Sequence, residues 1–194
     1  MDQWVLFDVG GVLIDAPLDF DEFATILDTA DDGALRTAFE RNRAAYDAGG
    51  SASEFWGAVA ADLRPGPVPT ETVLRLVAAE CRRWVAPSEA VTRLVHGLRS
   101  AGYRLAILSN APVELAAAMR ASTLGAEFDV LLFSSEIGAS KPAAESYLAA
   151  LAALQSAPER IVFFDDRPEN VESALRLGLR ATLWPGADVA ALAL

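Results

Sequence analysis

The sequence predicts an α/β fold, with a parallel sheet between two layers of helices and an all-helical insertion after the first strand. From residue 87 onward, short apolar runs alternate with amphipathic stretches, as parallel strands alternate with crossover helices. Residues 16–86 have helical patterns without an intervening strand. The first apolar run, residues 4–7, ends directly on Asp8, and Gly10 and Gly11 follow. This pattern leaves room for a ligand at the strand end.

Five apolar runs have the length and composition of buried parallel strands. They cover residues 4–7, 105–108, 130–133, 161–164 and 181–184. The helices predicted between them each open on a proline, whose fixed φ suits a first helical turn. These helices cover residues 87–101, 112–124, 142–154 and 168–177.

The insertion is predicted to contain four helices, over residues 19–28, 33–47, 51–63 and 70–84. The third opens on Ser51-Ala52-Ser53-Glu54, which has the spacing of a capping box. Because the insertion follows the first strand, we expect it to cover the ligand crevice as a lid. The predicted division is a core domain of residues 1–15 and 87–194 and a cap domain of residues 16–86. Four aromatic residues are interpreted as the core of the cap, with one or two of them facing the substrate: Phe39, Phe55, Trp56 and Trp84.

Composition restricts the classes of partner. The formal net charge of −11 argues against nucleic acids and anionic membrane surfaces. No apolar run reaches the about 18 residues that a membrane helix needs. Cys81 is the only cysteine, so no internal disulfide can form, and a cytoplasmic location is expected. Cys81 and His96, the only histidine, are interpreted as packing or surface residues.

Three carboxylates are predicted to meet at the carboxyl edge of the sheet. Asp8 ends the first strand, and Asp165 and Asp166 follow the apolar run 161–164. Parallel α/β sheets bind ligands at this edge. Acids that converge there repel one another, and Mg²⁺, which prefers oxygen ligands, would relieve the repulsion. The alternative is that Asp165 or Asp166 caps the helix that begins near Pro168.

Two further segments are candidates for anion binding. Ser109 and Asn110 follow the strand 105–108 and precede Pro112. They suit a helix N-cap, and the exposed N–H groups of a helix start also bind anions. Lys141 directly precedes Pro142 and the following helix. A cation opposes the macrodipole there, so we expect an anion between Lys141 and the helix end.

Four ordered motifs resemble those of the haloacid dehalogenase-like hydrolase superfamily. Residues 7–15, Phe-Asp-Val-Gly-Gly-Val-Leu-Ile-Asp, resemble its first motif, and Leu-Ser-Asn at 108–110 resembles its second. Ser-Lys-Pro at 140–142 resembles the third motif, and Phe-Phe-Asp-Asp-Arg-Pro-Glu-Asn at 163–170 the fourth. The helical insertion is similar to the cap of the branch with a small helical cap. The resemblance covers nearly the whole chain and implies a Rossmann-like core.

The resemblance implies a role for each candidate residue. Asp8 would be the nucleophile that forms an aspartyl-phosphate. Asp8, Asp166 and the main-chain carbonyl of Gly10 would hold Mg²⁺, with Asp165 contributing directly or through water. The second and third motifs would bind the phosphate through Ser109, Asn110 and Lys141. The implied substrate is a small phosphorylated metabolite, such as a sugar phosphate.

Gly10 departs from the family pattern, which usually has a second aspartate at this position as general acid and base. Its loss predicts slow turnover of substrates with poor leaving groups, since such catalysis contributes roughly 10²–10⁴-fold. Some members of the family that resemble glucose-1-phosphate phosphatases also carry glycine here, so the glycine does not by itself imply inactivity. By proximity in the chain, Asp15, Asp19 and Asp21 are candidates to replace the missing group. A carbon–halogen hydrolase and a catalytically weak or non-enzymatic relative stay open as alternatives.

Overall fold

A five-stranded parallel sheet forms the centre of the protein. The computed structural model describes residues 3–14, 18–64 and 66–187. The strands run in the order β3–β2–β1–β4–β5, and every pair of neighbours is parallel. Their bounds are β1 Trp4–Phe7, β2 Arg104–Ser109, β3 Val130–Phe133, β4 Ile161–Asp165 and β5 Arg180–Leu183. The predicted α/β fold with a parallel, Rossmann-like sheet is confirmed.

Helices cover both faces of this sheet. Because successive side chains of a strand point to opposite faces, Val5 and Phe7 pack in one apolar cluster and Trp4 and Leu6 in another. The first cluster includes residues of α5 and α6, and the second residues of α8 and α9. The core helices are α5 Glu89–Ser100, α6 Val113–Ala121, α7 Ser134–Ile137, α8 Ala144–Leu154 and α9 Pro168–Arg176.

The inserted segment forms four helices with an apolar cluster of their own. They are α1 Phe20–Leu27, α2 Asp32–Asp47, α3 Ala52–Leu63 and α4 Thr70–Trp84. The capping box at the start of α3 is present, since Glu54 N donates to Ser51 Oγ at 3.2 Å and Ser51 N donates to Glu54 Oε2 at 3.1 Å. Phe39, Phe55 and Trp56 lie in this cluster. Trp84 differs, because it packs against the core cluster beside β1.

Several helix bounds differ from the prediction, and one additional helix is present. The helix predicted from Pro87 begins at Glu89. The helix predicted from Pro142 begins at Ala144, after a cis peptide bond between Lys141 and Pro142. The helix predicted from Pro112 begins one residue later. The short helix α7 was not predicted, because four residues are too few to show an amphipathic repeat.

The end of α2 contacts the core directly. Ser134 Oγ, at the start of α7, donates to Asp47 O at 2.5 Å and accepts a bond from Ala111 N at 3.0 Å. Asp47 is the last residue of α2, so this hydroxyl joins the inserted helices to the carboxyl edge of the sheet. The division into core and cap domains at residues 15/16 and 86/87 stays a prediction. Among the helices of the described residues, none has both the length and the apolar character that a membrane crossing requires.

Candidate active site

Asp8 follows β1 directly, and 8% of its surface is exposed. Its backbone N–H donates to Phe164 O at 2.9 Å, which continues the pairing of β1 with β4. Its Oδ1 accepts a bond from Val9 N at 2.7 Å and lies 2.9 Å from Lys141 Nζ. The carboxylate is therefore fixed at the carboxyl edge of the central strand.

Lys141, the only lysine of the sequence, is buried between two carboxylates. Its Nζ lies 2.9 Å from Asp8 Oδ1 and 2.6 Å from Asp165 Oδ2. The expectation that it lies at a helix N-terminus is wrong, because α8 begins only at Ala144. Two strand-end acids hold this cation.

Asp165 is completely buried, and both of its carboxylate oxygens accept hydrogen bonds. Oδ1 accepts from Arg167 N at 2.9 Å and from Asn170 Nδ2 at 2.8 Å, and Oδ2 accepts from Lys141 Nζ at 2.6 Å. The residue that caps α9 is Arg167, and its side chain makes no capping bond. Asp165 therefore orients Lys141 and the turn before α9.

Asp8, Asp165 and Asp166 form an acidic cluster, each offering a carboxylate oxygen within 4.8 Å of the others. Burial raises the pKa of Asp8, an effect that Lys141 opposes and the charge of Asp165 reinforces. Burial and then the charge of Asp165 also raise the pKa of Asp166. Gly11 makes room for this cluster, because a Cβ on it would lie 2.3 Å from Asp166 Oδ2. These donors fit Mg²⁺, whose charge would relieve their repulsion.

Ser109 and Asn110 do not cap a helix. The capping residue of α6 is Pro112, and no side chain caps its N-terminus. Asn110 instead bonds both backbone groups of Lys141, with Nδ2 donating to Lys141 O and Oδ1 accepting from Lys141 N, both at 2.8 Å. Ser109 Oγ is buried without a hydrogen-bond partner among the described residues, so it is available to a ligand.

Two cavities open above the acidic cluster. The inner one has a volume of about 310 Å³ and is lined by Asp8, Ser109, Lys141 and Asp166, together with side chains from the inserted helices. The outer one has a volume of about 600 Å³, and Glu40, Ser140 and Arg167 are among its lining residues. Phe39, Arg43 and Asp47 line both cavities. The candidate site therefore lies between the sheet edge and the inserted helices.

Trp84 occupies the space beside Gly10. A Cβ built on Gly10 would lie 3.4 Å from Trp84 Cη2, and both residues line the inner cavity. The indole thus covers the position from which a side chain at residue 10 would extend. Trp84 was predicted to belong to the cap core, because nothing in the sequence indicates this long-range contact with Gly10.

An ion pair between Arg43 and Asp47 of α2 lines both cavities, and the sequence did not predict it. Arg43 Nε donates to Asp47 Oδ1 at 2.7 Å, and Arg43 also pairs with buried Glu80 of α4. The pKa of Asp47 is raised to about 6. Burial is the main cause, Arg43 opposes it, and the charges of Glu80 and Asp8 add to it. The four-residue spacing of the pair was visible in the sequence, but it is also common on solvated helix faces.

Two of the three acids suggested to replace the missing carboxyl group at residue 10 lie away from the two cavities. Asp19 caps α1 and pairs with Arg83 at 3.1 Å, and Asp21 is exposed. Neither belongs to the lining of the two cavities. Asp15 lies outside the described residues.

Cys81 and His96 also lie outside the lining of these cavities. Burial raises the pKa of the Cys81 thiol to about 11, which disfavours a reactive thiolate. His96 is 60% exposed in its side chain and lies 3.5 Å from Glu127.

A family model decides the classification of the chain. The model described as haloacid dehalogenase-like hydrolase matches residues 3–178. The chain belongs to the haloacid dehalogenase-like hydrolase family. This hydrolase is also similar to the phosphorylated carbohydrates phosphatase of Thermotoga maritima, with 32% identity over 83 residues. That match covers 42% of this chain and 38% of the relative, so the chain matches less than half of that protein's length.

Solved structures share the fold of this hydrolase. A predicted HAD-like family hydrolase from Porphyromonas gingivalis has a TM-score of 0.69 at 23% identity, covering 94% of this chain and 91% of the other. A HAD family enzyme from Bacteroides thetaiotaomicron, in complex with magnesium and inorganic phosphate, has a TM-score of 0.71 at 20% identity and 96% coverage of both chains. The L-2-haloacid dehalogenase of Xanthobacter autotrophicus has a TM-score of 0.69 at 18% identity, covering 93% and 76%. At identities below 25%, these TM-scores show a common fold and nothing further.

Proposed function

We propose that this hydrolase is a Mg²⁺-dependent phosphatase that acts on a small phosphorylated metabolite through an aspartyl-phosphate on Asp8. The observation that carries the proposal is the cluster of Asp8, Asp165 and Asp166 within 4.8 Å, at the base of a cavity that also contains Lys141. A carboxylate nucleophile, a set of metal ligands and a cation for the phosphate thus share one crevice. The phosphatase of T. maritima and the neighbour bound to magnesium and phosphate support this chemistry.

Asp8, Asp166 and the main-chain carbonyl of Gly10 would hold the metal. Asp165 would contribute through water, because both of its oxygens already accept hydrogen bonds from Lys141, Arg167 and Asn170. When bound, the metal neutralises charge on the transferring phosphoryl group. The chain itself provides a second positive charge, because Lys141 Nζ lies 2.9 Å from Asp8 Oδ1.

Other groups of the site would orient Asp8 and bind the phosphate oxygens. Bonds from Val9 N and Lys141 Nζ to Oδ1 fix the carboxylate of Asp8 for attack on phosphorus. Ser109 Oγ, which has no protein partner among the described residues, and Lys141 Nζ bind phosphate oxygens. Asn110 holds the backbone of Lys141 and offers its second amide hydrogen to the same phosphate.

The substrate proposed is a sugar phosphate or a phosphorylated metabolite of similar size. The inner cavity of about 310 Å³ suits a phosphate beside Asp8, and the outer cavity of about 600 Å³ offers room for the remainder. Phe39 gives this outer space an apolar wall, while Glu40, Ser140 and Arg167 give it polar groups. Such a mixed lining suits a hydroxylated leaving group.

Phosphate release from a panel of phosphate esters tests the function. We expect release that requires Mg²⁺, stops in excess chelator and is lost in Asp8→Asn. Asp62→Asn is the matched control, because Asp62 pairs with Arg41 of the cap away from the cavities. Halide release from 2-chloropropionate in chelator, without phosphate release, would instead establish the carbon–halogen hydrolase. Equal phosphate release by wild type and Asp8→Asn would remove Asp8 from the chemistry.

A further inference from the structure

A carboxylate from the inserted helices lies in the cavity where the core lacks one. Gly10 has no side chain, and Trp84 covers the space beside it. Asp47, by contrast, lines the inner cavity together with Asp8. The site therefore contains a carboxylate besides the acidic cluster, and it comes from the opposite wall.

Contacts with the core fix the backbone of Asp47. Its carbonyl oxygen accepts a bond from Ser134 Oγ at 2.5 Å. Two residues later, Gly49 has φ +101°, and a Cβ there would lie 3.4 Å from Ser135 O. The end of α2 is thus packed closely against the start of α7, which places Asp47 at the cavity.

The side chain of Asp47 is also oriented. Its Oδ1 accepts a bond from Arg43 Nε at 2.7 Å, and 13% of the side chain is exposed. Arg43 is itself fixed by its pair with Glu80, which is 1% exposed, and its guanidinium lies 5.9 Å from the centroid of the Trp84 ring. One carboxylate oxygen of Asp47 thus bonds to Arg43, and the other makes no hydrogen bond among the described residues.

We infer that Asp47 is the general acid and general base of the hydrolysis, supplied by the cap in place of the carboxyl group that Gly10 lacks. The inference rests on the proposed phosphatase function. It assigns to this chain a catalytic residue that the four sequence motifs do not contain.

The charges around Asp47 suit the exchange of a proton near neutral pH. Arg43 faces it from its own helix, Glu80 from α4 and Asp8 from the end of β1. Burial raises the pKa of Asp47 to about 6, the charges of Glu80 and Asp8 add to this effect, and Arg43 opposes it. A group with such a pKa donates and accepts a proton more readily at neutral pH than an ordinary aspartate does.

The proton and bond changes balance over one turnover. A carboxylate oxygen of Asp8 bonds to phosphorus while the bond from phosphorus to the leaving oxygen breaks, and protonated Asp47 gives that oxygen its proton to release an alcohol. A water molecule then attacks phosphorus, and ionised Asp47 takes its proton. The Asp8–phosphorus bond breaks, inorganic phosphate leaves, and both side chains regain their starting states.

Glu40 and Glu80, the other acids of the inserted helices near the site, do not both line a cavity and have a buried, oriented side chain. Glu40 lines the outer cavity and is exposed. Glu80 is buried behind Arg43 and does not belong to the lining of either cavity. Asp47 combines a place in both cavities with an oriented side chain.

The test compares Asp47→Asn with wild type on p-nitrophenyl phosphate, whose leaving group needs no proton, and on an alkyl phosphate, whose leaving group does. Asparagine keeps an oxygen that can accept the bond from Arg43. We expect kcat/KM for the alkyl phosphate to fall by ~100-fold or more, while kcat/KM for p-nitrophenyl phosphate stays within ~3-fold. A burst of p-nitrophenol and accumulation of phosphorylated enzyme should follow, because the loss of the base slows the second step.

Three controls separate the loss of an acid–base group from misfolding and from nonspecific effects of substitution. Asp62→Asn should behave as wild type, Asp47→Glu should restore part of the alkyl phosphate activity, and thermal unfolding checks that each variant folds. Equal losses on both substrates without a burst indicate that Asp47 only positions other groups, and they overturn the inference. Unchanged alkyl phosphate turnover in Asp47→Asn, with activity lost in Asp8→Asn, overturns it and leaves the phosphatase function intact. Absence of phosphate release by wild type, or release unaffected by Asp8→Asn, overturns the function and the inference with it.

Discussion

The ammonium group of Lys141 lies 2.6 Å from Asp165 Oδ2, and both side chains are almost completely buried. The same ammonium lies 2.9 Å from Asp8 Oδ1. A buried charge is costly unless it is paired and hydrogen-bonded. Lys141 therefore stabilises the two strand ends β1 and β4 against each other, besides its proposed role in phosphate binding.

We predict that Lys141→Met lowers the free energy of unfolding by ~3–5 kcal/mol at pH 7, because it leaves two buried carboxylates without their cation. The loss should be smaller at pH 5. Lys141 lowers the pKa of Asp8, so its removal lets Asp8 bind a proton at a higher pH and avoid the unpaired charge. Urea unfolding at the two pH values measures this. In the control, Arg93→Met breaks an exposed pair with Glu89 and should change stability by less than ~0.5 kcal/mol.

Gly11→Ala should weaken Mg²⁺ binding. Its φ of +71° strains an alanine, and the added Cβ would also lie 2.3 Å from Asp166 Oδ2, so the carboxylate must move. Gly138 is a matched control, since its φ is +73° and nothing lies within 4 Å of the added Cβ. Both variants should lose ~1 kcal/mol of stability from backbone strain. The rise of Tm on addition of Mg²⁺ should shrink in Gly11→Ala alone, and an equal rise in both variants would contradict this account of the site.

Gly10→Asp should be more destabilising in wild type than in Trp84→Ala. A Cβ at residue 10 lies 3.4 Å from Trp84 Cη2, so a longer side chain must displace the indole or turn away from it. A double-mutant cycle of unfolding free energies should give a coupling of ~1 kcal/mol between the two positions. Additive effects would show that Trp84 does not restrict residue 10.

The ionisation of Asp47 should affect stability with a definite sign. Its pKa is about 6 in the folded protein against 3.8 for an ordinary aspartate, so the folded state favours the protonated form. This contribution is complete below pH ~4 and is lost as the pH rises through about 6. Between pH 4 and pH 7, wild type should therefore lose up to ~3 kcal/mol more stability than Asp47→Asn. Chemical unfolding across this range measures the difference, and parallel pH profiles would show that the pKa of Asp47 is not raised.

Local sequence patterns were sufficient to predict the sheet. Strands β1 to β4 lie in short apolar runs bounded by polar residues, and burial on both faces explains why β1 and β4 lack alternation. The run 181–184 was also predicted to be buried, and this is wrong, because β5 is an edge strand with mostly exposed side chains. The acids Asp8, Asp165 and Asp166 could be brought together in advance, because the carboxyl ends of parallel strands meet at one edge. Their roles as ligands stay predictions.

The positions of Asp47, Trp84 and Lys141 in the site could not be predicted in the same way. Asp47 faces the cavity because the end of α2 contacts Ser134, which is 87 residues away in the chain. Trp84 lies beside Gly10 through a contact of similar range. Lys141 was predicted to lie at a helix N-terminus because Pro142 follows it. Its position depends instead on carboxylates at the ends of two distant strands. Helical periodicity describes which residues share a face but does not specify what that face will touch.

The hydroxyl of Ser134 has a consequence for the sequence of events in a turnover. It joins Asp47 O to Ala111 N, and thereby the last turn of α2 to the loop after β2. If α2 lifts to admit a substrate, Asp47 leaves with it, and the proposed nucleophile Asp8 stays in the core. Undocking thus separates the two carboxylates, and redocking reunites them. Substrate access and the proposed proton transfer by Asp47 are thus coupled, and water that reaches Asp8 in the open form would lack the proposed acid–base group.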